Sequence, residues 1–283
     1  MADMPDDTIQ FDSPFSAHFT FAVFAAGTDP ANERQVFALR YQVYCLERLF
    51  LQAEHYPDEY ETDEYDDCSA HIAAYSLTGM LVGSLRLVTP PNGSPFPFEA
   101  HCPALFADRT NPPRSACAEV SRLVISKLYR RRADDTVFGV AAQLVDEGPP
   151  RLDTIYDRRK ERQADSERIK ERRADSDRRK LQPEILLGLV RHMYQYSKRH
   201  DIHYWYMALE KPLARLLHRI FFFTLEPIGD QVDYYGPVIP CILPVAHFEE
   251  ALSRGDPVLF AWFQDGLEAA VPPPGFLKPI PCV

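Results

Sequence analysis

The chain has 283 residues, of which 46% are hydrophobic, 25% charged and 12% aromatic. This composition supplies a large buried core, so it excludes both a disulfide-dependent mini-protein and a wholly disordered chain. The formal net charge of −10 argues against a nucleic-acid-binding protein. The six cysteines form no C-x-x-C pair, which indicates neither a zinc site nor a disulfide framework.

The location of the protein is predicted from what its sequence lacks. No apolar run approaches the ~20 residues of a helix that spans a bilayer. The first ten residues, MADMPDDTIQ, are acidic, whereas a secretory signal carries basic residues followed by an apolar stretch. We therefore expect a cytoplasmic protein without a membrane span.

The residues before position 126 predict a strand, a helix and an antiparallel meander. Asp29-Pro30 opens the helix, because proline is tolerated in a first turn. Its apolar face is predicted from the helical spacing of Val36, Leu39, Val43 and Leu46. The strands are predicted over 19–26, 71–77, 80–88 and 117–126, with a loop over 51–67 and a tight turn at Thr78-Gly79.

An arginine-rich insert separates the two halves of the chain. The segments KERQADSERI (160–169) and KERRADSDRR (170–179) are near-duplicates. Residues 157–180 hold 11 basic and 7 acidic side chains and almost no apolar ones, so this insert cannot bury a face. The interleaved acids favour a solvated spacer over a site for an acidic partner.

After the insert, globular patterns return. A helix is predicted from Pro183, with an apolar face of Ile185, Leu186, Leu189, Val190 and Met193, and a shorter helix over 212–220. Strands are predicted over 204–209, 221–225 and 238–245, and the apolar, proline-containing end is expected to wrap around the domain. The predicted fold is an α/β mixed central sheet flanked by helices. Its divisions are a mobile amino terminus (1–17), a first half (18–156), the insert (157–180), a second half (181–264) and a proline-rich tail (265–283).

Several charged residues lie within or beside apolar segments. Arg40 falls beside the apolar face of the first helix, and its side chain could simply lie along the surface with its head in water. The run ETDEYDD (61–67) could hold a cation or an amine substrate, or could be a solvated acidic loop. It lacks the spacing of a calcium-binding loop.

Three further charges occupy strand centres, where an unpaired charge is costly. Arg86 lies within GSLRLV, and Glu119 and Arg122 lie within AEVSRLV. Strand alternation predicts Glu119 on one face and Arg122 on the other. The alternatives are a structural Arg–Glu bridge between neighbouring strands and a functional cleft.

The succession ALRYQVY, TDEYDD, GSLRLV and EVSRLVIS resembles the acyl-homoserine-lactone (autoinducer) synthases, members of the GCN5-related N-acyltransferase (GNAT) fold. The similarity covers about residues 30–126. It implies a GNAT-like fold and an electrostatic network around a substrate pocket. Position by position, the family's motif residues correspond to Arg40, Tyr44, Phe50, Asp63, Asp66, Arg86, Glu119 and Arg122. Phe50 stands where the family has tryptophan, and Tyr44 where it has phenylalanine.

The second half of the chain resembles the acyltransferases associated with the PEP-CTERM/exosortase protein-sorting system. This similarity rests on HYWYMALEKPLARLLHRI and IGDQVDYYGPVIP. Together the two resemblances imply an acyltransferase that uses acyl-carrier protein or acyl-CoA as co-substrate, without a tightly bound cofactor or metal, and acylates a small amine. Among the candidates, Glu119 is the predicted general base, supported by Arg86 and Arg122.

Acyl-carrier protein is acidic, so a basic docking surface is expected on this acidic chain. Lys127, Arg130, Arg131 and Arg132 follow the Glu119 strand and are its predicted members, with a solvated strand end as the alternative. Two other kinds of protein remain open: a non-catalytic acyl- or carrier-binding protein of the same fold, and a protein whose arginine-rich insert docks an acidic partner.

Overall fold

The computed structural model describes residues 17–91, 93–103, 105–106, 111–129 and 182–267. The 157–180 insert, residues 1–16, Arg130–Arg132 and residues 268–283 lie outside this part of the chain. Among the described residues, no helix is both long and apolar enough to cross a membrane.

One eight-stranded mixed sheet organises the described chain. Its strands are β1 (Phe19–Ala25), β2 (Ser69–Ser76), β3 (Leu81–Val88), β4 (Cys117–Ile125), β5 (Tyr204–Glu210), β6 (Glu226–Pro227), β7 (Val232–Asp233) and β8 (Pro237–Pro244). Their order in the sheet is β1-β2-β3-β4-β5-β8-β6, and β7 also pairs with β8. All pairs are antiparallel except β4 and β5, which run parallel.

Helices cover both faces of the sheet. They are α1 (Pro30–Tyr41), α2 (Pro97–His101), α3 (Gln182–Arg199), α4 (Lys211–Phe221), α5 (Val245–Gly255) and α6 (Pro257–Gln264). The side chain of Asp29 accepts a hydrogen bond from the Asn32 N–H and caps α1, which confirms the predicted start of that helix. Helix α3 packs closely on β1 at Gly188, where a Cβ atom would lie 1.9 Å from the Phe21 ring. The predicted α/β mixed sheet flanked by helices is therefore confirmed.

A π-helical turn over Gln42–Glu47 follows α1 and corrects one prediction. A π turn holds more residues than an α turn, so the apolar face rotates within it. Val43 and Cys45 are consequently buried, whereas Leu46, expected on the buried face, is 49% exposed.

The prediction of a strand over 221–225 is wrong. Phe221 belongs to α4, where it continues the apolar face of Leu217 and Ile220, and all three side chains are buried. Phe222 then ends the helix in the left-handed region, with φ of 64°. After β8 the chain forms α5 and α6, whose Phe248 and Phe263 are fully buried. Most of the predicted proline-rich tail (265–283), expected to wrap around the domain, lies outside the described residues.

Candidate active site

The guanidinium of Arg40 is completely buried against the sheet. Its Nη1 donates to Asp66 Oδ1 at 2.6 Å, its Nη2 donates to Asp66 Oδ2 at 3.1 Å, and its Nε donates to Glu61. The alternative in which Arg40 lies along the surface with its head in water is therefore wrong. Because its exposure is 0%, this side chain needs both carboxylates to offset the cost of desolvation.

Two strand arginines complete the same network. Arg86, on β3, binds both carboxylate oxygens of Asp63, donates to Asp66 Oδ1 at 2.8 Å, and donates from Nε to Ser121 Oγ at 3.1 Å. Arg122, on β4, donates from Nη2 to Glu61 Oε1 at 3.0 Å and to Asp63 Oδ2 at 2.9 Å. The geometry brings together the predicted Arg40, Asp63, Asp66, Arg86 and Arg122.

The network contains three guanidinium groups and three carboxylates, so its charges balance. Burial alone would raise the pKa of Asp66, but Arg40 and Arg86 hold it well below its usual range. For the same reason the pKa of Glu61 and that of Asp63 are lowered. These carboxylates are ionised and tie the 61–68 loop to the sheet, so the alternative of a solvated acidic loop is wrong for all three.

Glu61 belongs to the network, although the family resemblance does not select it. It lies in the acidic run, so its charge was visible, but its two arginine partners are 21 and 61 residues away along the chain. Only the tertiary fold reveals that this side chain is fully buried.

A β-bulge in β4 overturns the predicted separation of Glu119 and Arg122. Arg86 pairs with Ser121, whereas Ser84 pairs with Val124, so β4 holds one extra residue between these pairs. Arg122 occupies the bulge with φ of 51°, in the left-handed region that few non-glycine residues adopt. The bulge turns the Arg122 side chain toward Glu61 and Asp63, and Asp63 is also bound by Arg86.

Tyr44 and Phe50 lie beside this network, as the resemblance implies. Their rings stack with centroids 6.2 Å apart, and the guanidinium of Arg122 lies 5.6 Å from the centre of the Tyr44 ring. The backbone N–H of Phe50 donates to the carbonyl of Tyr44, which folds this segment back on the π-helical turn. Both residues line the cavity described below.

Glu119 is buried on β4, and it stands apart from the ion pairs. Its Oε2 accepts a hydrogen bond from the backbone N–H of Phe98 at 2.9 Å, and among the described residues it has no salt-bridge partner. Burial raises the pKa of Glu119 to about 8, although the Phe98 N–H and the charges of Arg86 and Arg122 act in the opposite direction. The alternative of a structural bridge between Arg86 and Glu119 is therefore wrong.

A cavity of about 450 Å³ opens beside Glu119. Strands β4 and β5 pair only from Cys117↔Tyr204 to Glu119↔Tyr206, and beyond that point residues 120–125 and 207–210 line the cavity on opposite sides. Glu119, Ser121 and Arg122 form part of its polar wall. Its apolar wall comes from α3, α4, β5 and α5, including Leu186, Val190, Met193, Leu213, Leu217 and Phe248.

Aromatic residues from the β7–β8 hairpin also reach the polar wall, although neither the strand patterns nor the resemblance selects them. Tyr234 and Tyr235 line the cavity, and Tyr234 stacks on His101 with ring centroids 3.9 Å apart. Arg122 lies 5.9 Å from the centre of the Tyr235 ring. The YYG sequence indicates a turn with two aromatic side chains. It does not indicate their contact with β4, which is more than 100 residues away along the chain.

The predicted docking residues are only partly visible. Lys127 is exposed just after β4, whereas Arg130, Arg131 and Arg132 lie outside the described residues. No group of three or more histidine, cysteine, aspartate or glutamate side chains in the described part of the chain is placed to hold a metal ion.

His71 lies under the network and is neutral. It is fully buried, its Nε2 is 4.0 Å from Asp66 Oδ1, and neither ring nitrogen has a hydrogen-bond partner among the described residues. The rings of Phe24 and Phe37 pack against it. Burial lowers the pKa of His71 to about 4, with Arg40 and Arg86 acting in the same direction and Asp66 opposing them.

This neutral histidine predicts a loss of stability in mild acid. Unfolded, His71 gains a proton near pH 6.5, whereas the folded protein resists protonation until about pH 4. The stabilisation that depends on neutral His71 is therefore fully present above pH 6.5. As the pH falls to 4, protonation of the unfolded chain lowers the free energy of unfolding by on the order of 3 kcal/mol. In urea unfolding at pH 7 and pH 5, His71→Leu should lose less stability than the wild type. An equal loss in both proteins would contradict this assignment.

Comparison with known proteins places the chain in a fold class. Residues 39–138 match the family model described as an acetyltransferase (GNAT) domain. That segment contains all eight network, cavity and base residues that the resemblance selected. The chain thus has a GNAT-like fold, and part of it matches the GNAT domain model. No curated protein sequence is significantly similar to it.

Solved structures of acyl-homoserine lactone synthases share this fold. The CoA-dependent synthase BjaI, solved with MTA, is 16% identical with a TM-score of 0.53, over 87% of this chain and 89% of its own. The AHL synthase LasI is 16% identical with a TM-score of 0.52, over 84% and 96%. TofI, in a ternary complex with an inhibitor and MTA, is 18% identical with a TM-score of 0.51, over 84% and 98%.

Proposed function

We propose that this protein is an N-acyltransferase that moves a fatty acyl group from an acyl-carrier-protein or CoA thioester to an amine of an amino-acid-like acceptor. The observation that carries this proposal is the position of Glu119. A buried carboxyl group whose pKa is raised to about 8 lies where two strands separate around a largely apolar cavity. A base poised near neutral pH beside an apolar binding site suits acyl transfer.

In the proposed reaction, the Glu119 carboxylate accepts a proton from the amine as its nitrogen attacks the thioester carbonyl. The C–N bond forms, the C–S bond breaks, and the sulfur leaves as a thiolate that takes up a proton. Negative charge develops on the carbonyl oxygen during the attack. Backbone N–H groups of β4 beyond Glu119, where the pairing with β5 has ended, are the candidate donors to that oxygen.

The network residues have a positioning role in this proposal. Arg40, Arg86 and Arg122, with Asp63 and Asp66, hold the loop and the β4 bulge that shape the polar wall. Tyr44 and Phe50 line the acceptor side, and the apolar wall takes the acyl chain. Within the predicted catalytic group of Glu119, Arg86 and Arg122, Glu119 is the proposed base, and the two arginines position the polar wall beside it.

The donor supplies the reactive thioester, so the proposal includes no tightly bound cofactor or metal. Both possible donors are made in the cytoplasm, which is the proposed location.

The association with PEP-CTERM/exosortase and exopolysaccharide systems remains a prediction from the resemblance of the second half. The predicted domain boundaries, with the 157–180 insert as a spacer, are likewise proposals. Deletion of that insert should leave activity intact.

Mass spectrometry of lipid extracts tests the proposed function. Cells that express the wild type should accumulate an N-acylated amine that is missing from cells expressing Glu119→Gln at the same protein level. The fragmentation pattern would identify both acceptor and acyl chain. If no such product appears while the purified wild type still binds an acyl donor, the protein is a non-catalytic acyl-binding protein instead.

A further inference from the structure

The chain segment after the π-helical turn directs an arginine to the cavity. Arg48 closes that turn, because its backbone N–H donates to the carbonyl of Val43 at 2.9 Å. Leu49 follows in the left-handed region, with φ of 54°, so the chain reverses there. The reversal leaves Leu49 exposed, whereas Arg48 and Phe50 both line the cavity. The guanidinium carbon of Arg48 lies 6.0 Å from the centre of the Phe50 ring. This turn therefore places a cation beside an aromatic residue of the acceptor side.

A row of contacts joins Arg48 to the bulge of β4. The rings of Phe50 and Tyr44 stack, and the Tyr44 ring in turn lies 5.6 Å from the guanidinium of Arg122. Arg122 occupies the bulge on the same strand as Glu119. The polar wall therefore continues from the proposed base, through these contacts, to Arg48.

Arg48 differs from the other charged residues of the cavity wall. In the described part of the chain, these charged residues are Arg48, Glu119, Arg122 and Glu210. The charge of Arg122 is balanced by carboxylates of the buried network. Glu210 directly precedes α4, where the positive end of the helix dipole stabilises its negative charge. Among the described residues no carboxylate lies within salt-bridge distance of Arg48, and its neighbour Glu47 accepts a hydrogen bond from Gln42. The charge of Arg48 is thus available to an anionic group of a ligand.

We propose that Arg48 binds the carboxylate of the amine acceptor, and so makes the protein selective for amino acids over amines that lack a carboxylate. This inference rests on the proposed function and assigns the residue that selects its acceptor. A guanidinium binds a carboxylate through two parallel N–H···O bonds, which fixes orientation as well as adding affinity. An amino acid offers this carboxylate to Arg48 and its amine to Glu119. A polyamine would instead bring a second cation toward Arg48 and be repelled.

Two analogues of the reaction product test this inference by binding. N-dodecanoylglycine and N-dodecanoylglycinamide share the acyl chain and the new amide bond, and they differ only in a carboxylate against a neutral amide. The wild type should bind the glycine analogue at least about tenfold more tightly, because a hydrogen bond between charged groups is stronger than one to a neutral amide. In Arg48→Met the two Kd values should become equal. Isothermal titration calorimetry measures both.

Two further variants control this measurement. Arg48→Lys keeps the positive charge but loses the planar fork, so it should retain only part of the preference for the glycine analogue. Arg34→Met removes an exposed arginine of α1 that does not line the cavity, and it should keep the full preference. The comparison of the two analogues on the wild type needs no variant, so it holds even if Arg48→Met folds poorly.

A cationic analogue tests the competing acceptor class. N-dodecanoylputrescine carries a free ammonium group, and the wild type should bind it more weakly than N-dodecanoylglycine. Its affinity should increase in Arg48→Met, because the repulsion is removed. If the wild type instead prefers this analogue and loses it in Glu210→Gln, the cavity selects a polyamine through Glu210, and the role of Arg48 is overturned.

The outcomes separate this inference from the proposed function. Equal affinity of the wild type for the glycine and glycinamide analogues, or a preference that survives in Arg48→Met, would overturn the role of Arg48 even if acyl transfer is observed. Absence of transfer from every donor, with the preference still dependent on Arg48, would contradict only the proposed function. Failure of the wild type to bind any of the analogues would contradict both.

Discussion

Glu119→Gln should lower kcat by about 100-fold or more, because general base catalysis typically contributes a factor of 10² to 10⁴. Glutamine has nearly the same shape, and its oxygen can still accept the hydrogen bond from Phe98 N–H. The cavity should therefore keep its affinity for the acyl donor. Single-turnover kinetics and equilibrium binding of the donor, measured on the same preparation, separate these two effects.

The pH dependence of the wild type should report the same group. The base is active only as a carboxylate, so kcat/KM should rise with pH and level off above about pH 8, the value to which burial raises the pKa of Glu119. The amine acceptor also loses a proton as the pH rises, and this deprotonation contributes to the rise in kcat/KM. The Glu119→Gln variant lacks the base, so its pH profile shows the contribution of the acceptor alone. The rise in kcat/KM near pH 8 that is due to Glu119 should be present in the wild type and missing from the variant.

Glu99→Gln is the matched control for this prediction. Glu99 also bonds to backbone near the amino end of α2, through Phe96 N–H, but it pairs with Arg114 and its pKa is lowered. This variant should retain the rate and the pH profile of the wild type. If Glu119→Gln kept full kcat, or if both variants lost it equally, Glu119 would not be the base.

Local sequence signals were sufficient for most of the fold. Proline and aspartate at the start of α1, the Thr78-Gly79 turn and the apolar face of α3 each follow from rules that involve neighbours along the chain. The prediction of a strand over 221–225 is wrong because aromatic residues occur equally well in a strand and in a buried helix end. Helical spacing wrongly predicts that Leu46 is buried, because no local sequence signal indicates the π-helical turn.

The site shows a different limit. Arg40, Asp63, Asp66 and Arg86 were selected from a family resemblance, and the geometry brings them together. The sequence does not single out Glu61, Tyr234 or His71, because their roles depend on partners that only folding brings close. The bulge at Arg122 likewise depends on the register of β3 against β4. Sequence thus indicates which charges are unusual, whereas only the fold indicates how they are neutralised.

Arg40→Met should cost about 3–5 kcal/mol of stability, the range expected when one partner of a buried ion pair is removed. Methionine fills similar space, but Glu61 and Asp66 would each lose a buried positive charge at hydrogen-bond distance. Chemical denaturation at pH 7 measures this loss. The control is Arg114→Met, which removes an exposed arginine from its bidentate pair with Glu99 and should cost about 1 kcal/mol or less.

The pH dependence of Arg40→Met distinguishes lost charge from lost packing. In the wild type, Arg40 lowers the pKa of Glu61 and that of Asp66, so its stabilising effect is complete above the unfolded values near 4 and declines as the pH falls below them. The stability gap between wild type and variant should therefore narrow in acid. A gap that is constant from pH 7 to pH 3 would mean that Arg40 stabilises the fold through packing, and the electrostatic account of the network would be wrong.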